Sequence, residues 1–372
     1  MKKTLIALAV MSAAAGVAHA QSNVTIYGVV DTGLVKETGS DVRMGGNVDS
    51  RIGFRGVEDL GSGLKATFEL ERRFNLNDGT QANSVVMGTD GREWEKDDLV
   101  NRAHWNYSDA ISGKSADWIG AANVGLKSDA WGAVRLGRVN NLSVETYRMV
   151  DPFNQYGVGA SLAKSNILRS EQVSNTIRYD SPSWSGFGFG LSYTLGQNTK
   201  NINDAELKAI GNDGFAVNLK YDNGPLLLLA NYDRAADSND SYTWNVGGAY
   251  SYAGFKVSLG YQDSRLKLFE AVDGTLKEKD WIVGLQYKTG PHTVNASFNH
   301  GKVSGILLDN NNSAKAKKYA LGYTYDMSKR TSVYANVAYT DNNNTVDSWY
   351  YNGNLDARDS MTGFQVGITH KF

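Results

Sequence analysis

The side chains that could carry catalysis are few and scattered in this sequence. There is no cysteine, and the five histidines are His19, His104, His292, His300 and His370. None belongs to an H-E-x-x-H motif, and no two have the spacing of a metal site. His300 and His370 fall near the ends of predicted strands, on the apolar side, where an imidazole is an interfacial side chain. The sequence therefore predicts no enzyme, no cofactor and no metal site, and it excludes disulfides.

Charged residues follow a two-residue period along several short segments. Successive side chains of a strand point to opposite faces, so such a segment has one apolar face and one polar face. A densely charged face can line water but cannot contact lipid. Residues 361–372 also alternate, and their apolar face ends on Phe372. In residues 64–73 the apolar set is Leu64, Ala66, Phe68 and Leu70, and the charged set is Lys65, Glu69, Glu71 and Arg73.

Sixteen segments of this kind are separated by connections that alternate between short and long. Short turns at one end and long loops at the other are typical of bacterial outer-membrane barrels, and an even strand number places both chain ends on the short-turn side, the periplasm. An unpaired edge in hydrocarbon is costly, so the last strand must pair with the first. The pattern predicts an all-β, 16-stranded antiparallel transmembrane barrel. The predicted strands are residues 23–34, 50–57, 64–73, 123–127, 133–138, 175–180, 187–195, 215–221, 226–233, 243–251, 255–262, 280–287, 292–300, 318–326, 331–340 and 361–372.

Aromatic residues bracket the aliphatic residues on the predicted outward faces. Residues 215–221, 244–250, 255–261 and 281–287 each begin and end with an aromatic side chain on one face. Aromatics at both strand ends predict two interfacial girdles around a hydrocarbon band.

The first twenty residues have the features of an export signal. A Met-Lys-Lys start precedes an apolar run over residues 5–17, which is too short to span a bilayer, and Ala18-His19-Ala20 fits the A-x-A cleavage pattern. We expect cleavage after Ala20, which leaves residues 21–372 as one barrel domain. Removing the two lysines changes the formal net charge from −1 to −3. This near balance argues against a nucleic-acid partner.

A barrel of this size encloses an aqueous channel that must be narrowed. The predicted constriction is the segment 140–172, which is long and follows the fifth predicted strand. It carries Glu145, Asp151, Lys164, Arg169 and Glu171.

Several motifs resemble the general-diffusion porins of beta-proteobacteria, a family that includes the neisserial and Bordetella/Burkholderia-type porins. The resemblance implies a homotrimer of 16-stranded barrels in the outer membrane, each with its third long loop folded inward. It also implies contact with outer-membrane lipid and lipopolysaccharide, and recognition of Phe372 by the barrel-insertion machinery. The motifs are residues 24–31 (VTIYGVVD), 51–66 (RIGFRGVEDLGSGLKA), 136–138 (LGR), 151–153 (DPF) and the terminal Phe372.

In this family, arginines on the barrel wall are paired with acidic groups nearby. Strand alternation places Arg51, Arg55, Arg73 and Arg135 on the lumen face, whereas Arg138 has the opposite parity unless a bulge intervenes. The alternative for each arginine is a solvated lumen residue or a structural salt bridge. The opposing carboxylates implied by the resemblance are Glu145, Asp151 and Glu171 of the segment 140–172.

The function predicted from these features is passive diffusion of ions and small hydrophilic solutes through a water-filled channel. The wall arginines favour the passage of anions. The carboxylates of Asp31, Glu69, Glu71 and the acids of the segment 140–172 act against this preference. The alternatives are a substrate-selective channel with an aromatic slide in its lumen, an outer-membrane enzyme, and an adhesin or purely structural barrel. The insertion at 103–121 exceeds the family pattern, and one interpretation is a latch between subunits.

Overall fold

Long antiparallel strands dominate the part of the chain that the computed structural model describes. That part comprises residues 23–82, 117–165, 171–196, 213–236, 241–267, 275–305, 313–342 and 360–372. The predicted export signal and most of the insertion at 103–121 lie outside it. The strands are β1 (Asn23–Glu37), β2 (Arg43–Met44), β3 (Ser50–Gly61), β4 (Leu64–Phe74), β5 (Ala121–Ser128), β6 (Gly132–Asn140), β7 (Gln172–Asp180), β8 (Phe187–Thr194), β9 (Gly214–Asn223), β10 (Leu226–Arg234), β11 (Tyr242–Tyr252), β12 (Phe255–Lys267), β13 (Thr275–Thr289), β14 (His292–Gly305), β15 (Ser313–Asp326), β16 (Thr331–Asn342) and β17 (Ser360–Lys371).

Pairing of the first and last strands closes the sheet into a barrel. Each long strand pairs antiparallel with its neighbours in sequence, and β1 pairs with β17 from Val29↔Lys371 to Glu37↔Gly363. The two-residue strand β2 only extends the connection between β1 and β3. The prediction of a closed 16-stranded antiparallel barrel is confirmed.

The outward face carries the predicted apolar band. Leu259 of β12 and Leu321 of β15 are 59% and 55% exposed, because their partner is lipid rather than protein. Aromatic rings from adjacent strands touch along both rims of the band. The ring centroids of Phe255 and Tyr287 are 4.3 Å apart at the short-turn rim.

Four strands are longer than predicted at their long-loop ends. The predicted segments 255–262, 280–287, 292–300 and 318–326 extend to form β12 to β15. The prediction followed the apolar period, which ends where lipid ends. Backbone hydrogen bonding continues beyond the apolar band because the barrel wall projects out of the membrane. The outward side chains of this projecting part are charged.

Within the described residues, helical structure occurs in one connection only. A helix, α1 (Leu142–Arg148), and a one-turn 3₁₀ helix (Leu162–Ser165) lie between β6 and β7. Among the described residues, no helix is long and apolar enough to cross a membrane.

The closure of the barrel depends on a glycine that faces Phe372. Gly28 N donates to Phe372 O at 3.0 Å, and Phe372 N donates to Gly28 O at 3.1 Å. A Cβ built on Gly28 would lie 2.3 Å from the Phe372 ring and 2.6 Å from the carbonyl oxygen of Arg51. The phenyl ring therefore covers the backbone of β1 at a point where only glycine fits.

We expect Gly28→Ala to weaken barrel closure by about 1–3 kcal/mol, because both the ring and a backbone oxygen would have to move. The measurement is the heat-induced loss of folded mobility in gel electrophoresis, read as a lower transition temperature. Gly188→Ala is the matched control, since its Cβ would meet only ordinary contacts of 3.5 Å or more. Equal transition temperatures for the two variants would contradict this account of closure.

Candidate functional site

The connection between β6 and β7 enters the barrel and begins with a capped helix. The side-chain oxygen of Asn141 accepts hydrogen bonds from Ser143 N at 2.7 Å and Val144 N at 3.3 Å, which satisfies donors at the start of α1. The same side chain donates from Nδ2 to Asp233 Oδ2 on β10 at 2.8 Å. One residue therefore starts the helix and attaches it to the wall.

The wall offers this connection an apolar surface on its inner side. Tyr147 and Val150 pack into a buried cluster with Ala163 and with wall residues of β10, β11 and β13. A Cβ on Gly247 or Gly260 would lie within 2.8 Å of a Val150 methyl carbon, so the glycines admit the loop. The wall residues of the cluster are Leu227, Leu229, Ala249 and Ile282.

The far half of the connection packs against the inner wall around the junction of β1 and β17. Phe153 and Val158 pack against Val35 of β1 and against alanines of β15 and β16. Val158 N donates to Gln365 Oε1 of β17 at 3.2 Å. The connection thus lies along the inner wall from β10 round to β1.

Asp151 organises the turn between these two halves. Its carboxylate accepts hydrogen bonds from the backbone N–H groups of Phe153 at 2.8 Å, Gln155 at 3.1 Å and Ser161 at 2.8 Å. The residue is only 3% exposed. Burial raises the pKa of Asp151 because the dry site disfavours the charged form, and the N–H donors offset this only in part. This differs from the predicted role, since a carboxylate inside the turn does not oppose the wall arginines.

A second segment, which sequence reasoning missed, also lies against the inner wall. Asp31 of β1 accepts hydrogen bonds from Asn47 N at 2.6 Å and from the Tyr334 hydroxyl at 2.8 Å. Gln365 Nε2 donates to the carbonyl oxygen of Gly46 at 2.8 Å. These bonds hold residues 46–47 beside the far half of the connection between β6 and β7, which we call the constriction loop.

Arg73 is the centre of the charge cluster that faces the loop. Its Nη1 lies 2.8 Å from Glu171 Oε2 and 3.0 Å from Asp49 Oδ2, and its Nε lies 3.1 Å from Glu71 Oε1. Arg51 reaches Glu71 Oε2 from the neighbouring strand at 3.5 Å. Two of the predicted wall arginines and one predicted loop carboxylate are therefore brought together.

Arg148 extends this cluster from the loop side. Its Nη2 lies 3.3 Å from Glu171 Oε1, and its guanidinium carbon lies 4.9 Å from the centroid of the Tyr156 ring. Glu171 thus bridges an arginine of the wall and an arginine of the loop.

Arg135 belongs to a second cluster, on β6 and β7. Arg135 Nη2 lies 2.5 Å from Asp180 Oδ2. Arg178 Nη2 lies 2.7 Å from Asp180 Oδ1 and 2.7 Å from Glu145 Oε2. Glu145, at the start of the loop, therefore pairs with Arg178 rather than with one of the predicted arginines.

Arg55 differs from Arg51, Arg73 and Arg135 because it has no carboxylate within 4.0 Å among the described residues. Its guanidinium carbon lies 5.1 Å from the centroid of the Tyr27 ring. The Tyr27 hydroxyl donates to Glu69 Oε1 at 2.8 Å and to Glu71 Oε2 at 3.3 Å. The tyrosine ring therefore stabilises the Arg55 cation, while the tyrosine hydroxyl is hydrogen-bonded to Glu69 and Glu71.

Arg138 bonds to neutral groups instead of the loop acids. Its Nε donates to the carbonyl oxygen of Ile119 at 2.8 Å, and its Nη1 donates to Ser174 Oγ at 2.8 Å. The pairing of β6 with β7 shifts register between Gly137 and Val139, at this residue. Arg138 therefore links strand ends, and among the described residues it forms no ion pair with either cluster.

Comparison with known proteins fits this architecture. The family model described as Gram-negative porin matches residues 7–345. The chain belongs to the Gram-negative porin family. An outer membrane porin protein of Bordetella pertussis is 30% identical over 435 aligned residues. An outer membrane porin protein of Delftia acidovorans is 31% identical over 400, and both alignments cover 100% of this chain and of the relative. The structure of an anion-selective porin from Comamonas acidovorans matches with a TM-score of 0.71 at 24% identity, over 95% of this chain and 100% of that one.

The porin is thus an outer-membrane channel through which ions and small hydrophilic solutes diffuse, and not an enzyme. The predicted family, fold and location are confirmed. Sequence reasoning did not single out Arg178, Arg148 and Asp49, which complete the charge clusters. Arg178 carried a usable signal, because it shares the lumen parity of Asp180 on a predicted strand. Asp49 and Arg148 lie in connections, where parity gives no information.

We expect Arg73→Gln to destabilise the seated loop by about 2–3 kcal/mol, because Glu71 and Glu171 would keep their charges in a partly buried site with only the more distant Arg51 and Arg148 as partners. Urea unfolding in detergent and single-channel noise measure the effect. Arg72→Gln is the control, since among the described residues Arg72 pairs only with Asp117, at 3.9 Å, and its side chain is half exposed. Adding Glu171→Gln to Arg73→Gln should recover part of the loss. A double variant as unstable as the sum of the two single variants would contradict the pairing.

The raised pKa of Asp151 predicts pH-dependent seating of the loop. The carboxyl has its ordinary pKa of about 3.9 when the loop leaves the wall and a higher pKa when the loop is seated. The seating free energy is therefore most favourable below about pH 4 and weakens as the pH rises through the raised pKa. Single-channel noise should increase over this interval in the wild type. Asp151→Asn should show constant noise with pH, and a pH dependence that survives this substitution would assign the effect to another group.

Proposed function

We propose that solutes pass between the constriction loop and the wall formed by β3, β4, β6 and β7, with a weak preference for anions. The observation that carries the preference is Arg55, an exposed cation of the wall that has a tyrosine ring and no carboxylate as its close partner. A wall cation that forms no ion pair attracts anions into a narrow aqueous passage.

The preference is weak because most other arginines of the passage are neutralised. Arg51, Arg73 and Arg148 have Glu71, Glu171 or both within ion-pair distance. Arg135 and Arg178 share Asp180 in the same way. These pairs shape the cross-section and orient the loop, while their net charge is small.

We further propose that the porin is a homotrimer whose subunits meet through β17, β1, β3, β4 and β5. The outward strand residues of this sector include exposed Val24, Phe68, Val124 and Val366 and contain no tyrosine or tryptophan, unlike the girdled strands from β7 to β16. Trp118 lies against the outer side of this sector, with its ring 6.2 Å from that of Phe54. This position supports a latch formed by the segment that precedes β5.

The proposed route to the membrane begins with the leader of residues 1–20, which is cleaved after Ala20. The barrel-insertion machinery then recognises Phe372, and the finished barrel contacts outer-membrane lipid and lipopolysaccharide. The exposed aromatic end of β17 and the apolar outward band support these steps.

The test is the reversal potential of single channels in a planar bilayer under a salt gradient. The wild type should favour chloride slightly, and conductance should appear in steps of three. Arg55→Gln should lower the anion-to-cation permeability ratio about two-fold, since one screened charge at about 5 Å in water has an effect of this size. Arg72→Gln, which removes an outward-facing charge, should leave the ratio unchanged. A cation-selective wild type would refute the role of the arginine wall, although the chain would still be a porin.

A further inference from the structure

The barrel wall behind helix α1 contains two buried carboxyl groups that take no part in the proposed solute path. Glu278 and Asp280 are alternate residues of β13, so both side chains lie on the same face of the sheet. Ile282 continues this face and belongs to the cluster that packs against the constriction loop. Glu278 and Asp280 are 0% and 1% exposed. Two acids are therefore buried on the lumen side of the wall, just beyond Trp281 at the long-loop rim of the apolar band.

Asp280 lacks both a hydrogen-bond donor and a cation within the described part of the chain. Neither of its carboxyl oxygens accepts a hydrogen bond, and both are closed to water. No described lysine or arginine nitrogen lies within 4.0 Å of it. Lys279 pairs instead with Asp263, at 3.6 Å. A close polar neighbour of Asp280 is Glu278, which is itself a carboxyl. Two adjacent buried acids require either a bound cation or a proton between them.

The constriction loop places a third oxygen atom at the same position. Tyr147 is 2% exposed, and its hydroxyl has no hydrogen-bond partner among the described residues. A Cβ on Gly260 would lie 3.2 Å from Cε2 of Tyr147, and Gly260 is in register with Ile282 of β13. The ring thus lies over β12, next to β13. Among its charged neighbours, Asp280 acts most strongly on the Tyr147 hydroxyl.

Helix α1 is held over the wall by contacts that do not involve these three side chains. Asn245 Nδ2 of β11 donates to the carbonyl oxygen of Ser143 at 3.1 Å and to Ser143 Oγ at 2.9 Å. Asn218 Nδ2 of β9 donates to Thr146 Oγ1 at 3.3 Å. The loop oxygen and the wall carboxyls therefore have fixed positions before any ligand is bound, as a preorganised site requires.

We propose that Glu278, Asp280 and the Tyr147 hydroxyl bind a calcium ion between the barrel wall and the constriction loop. Two carboxylates carry two negative charges, which a divalent ion balances, and oxygen atoms are the ligands of hard cations. Ca²⁺ accepts bidentate carboxylates in irregular sets of six to eight oxygens. Mg²⁺ retains several waters in a near-octahedral shell, for which a site closed to water has little room. The ion attaches the first half of the constriction loop to β13.

The experiment measures Ca²⁺ binding by isothermal titration calorimetry. The purified, folded porin is treated in detergent with a chelator, which is then removed, and is titrated at neutral pH. The wild type should bind one Ca²⁺ per subunit with a Kd below about 1 mM, and Mg²⁺ about 10-fold more weakly. The variant Glu278→Gln/Asp280→Asn should bind Ca²⁺ about 100-fold more weakly, because both anionic ligands are lost.

The matched control is Glu58→Gln/Asp59→Asn, which makes the same chemical changes at two adjacent exposed acids near the short-turn end of β3. It should keep the wild-type affinity. Retained binding in Glu278→Gln/Asp280→Asn, or an equal loss in the control, would overturn the proposal. A wild type without a saturable Ca²⁺ site at neutral pH would also overturn it, and would indicate a proton shared by the two acids.

Single-channel noise tests whether the ion holds the loop. Replacing Ca²⁺ by a chelator should increase the noise of the wild type and of the control, since the loop loses its attachment to β13. The noise of Glu278→Gln/Asp280→Asn should be the same in both solutions, because a neutral site neither requires nor holds the ion. Equal noise of the wild type with and without Ca²⁺ would refute the role of the ion in the loop.

Two single variants keep the test decisive if the double variant does not fold. Asp280→Asn should bind Ca²⁺ about 10-fold more weakly, and Tyr147→Phe, which keeps the ring and removes one oxygen, about 3-fold. Wild-type affinity in Asp280→Asn would refute the site. The result is independent of the proposed solute path, since Ca²⁺ binding by a cation-selective wild type would refute only the arginine wall.

Discussion

The pairing of β1 with β17 is the constraint on which the rest of the molecule depends. A sheet in hydrocarbon has no water to satisfy an exposed edge, so every backbone group of the wall must find a partner in the wall. The reciprocal hydrogen bonds between Gly28 and Phe372 complete this pairing at the short-turn end. Once the wall is closed, its inner face is sheltered from lipid, and charged side chains can be placed there at low cost.

The inner face is not uniformly polar, and this asymmetry positions the pore. One side of the wall carries leucines, alanines and glycines that receive Val150 and Tyr147 of the constriction loop. The other side carries arginines that pair with carboxylates of the wall and with Glu171 at the end of the loop. The loop is therefore packed by apolar contact on one side and fixed by charge on the other, and the proposed solute path lies between the loop and the arginine side.

The outer face is divided as well. Girdled strands face lipid, the sector from β17 to β5 is apolar without a tyrosine or tryptophan on its strands, and the long-loop ends of β12 to β15 are basic. A single period of two residues generates all three surfaces, because the side chains that alternate with the lumen set differ in type around the barrel. The fold is common to the family, whereas these surfaces give this chain its own contacts.

The sequence by itself determined the barrel, its strand number and the face of the strand residues away from bulges, because a period of two with lipid on one side leaves one consistent arrangement. It also placed Arg51, Arg55, Arg73 and Arg135 on the lumen face. Only the tertiary structure decided the partners. Asp151 is a buried acceptor within a turn, Glu145 pairs with Arg178, and Arg138 bonds to Ile119 and Ser174. Alternation fixes the direction of a strand side chain, but it carries no information about a loop, whose path is set by packing against residues distant in sequence.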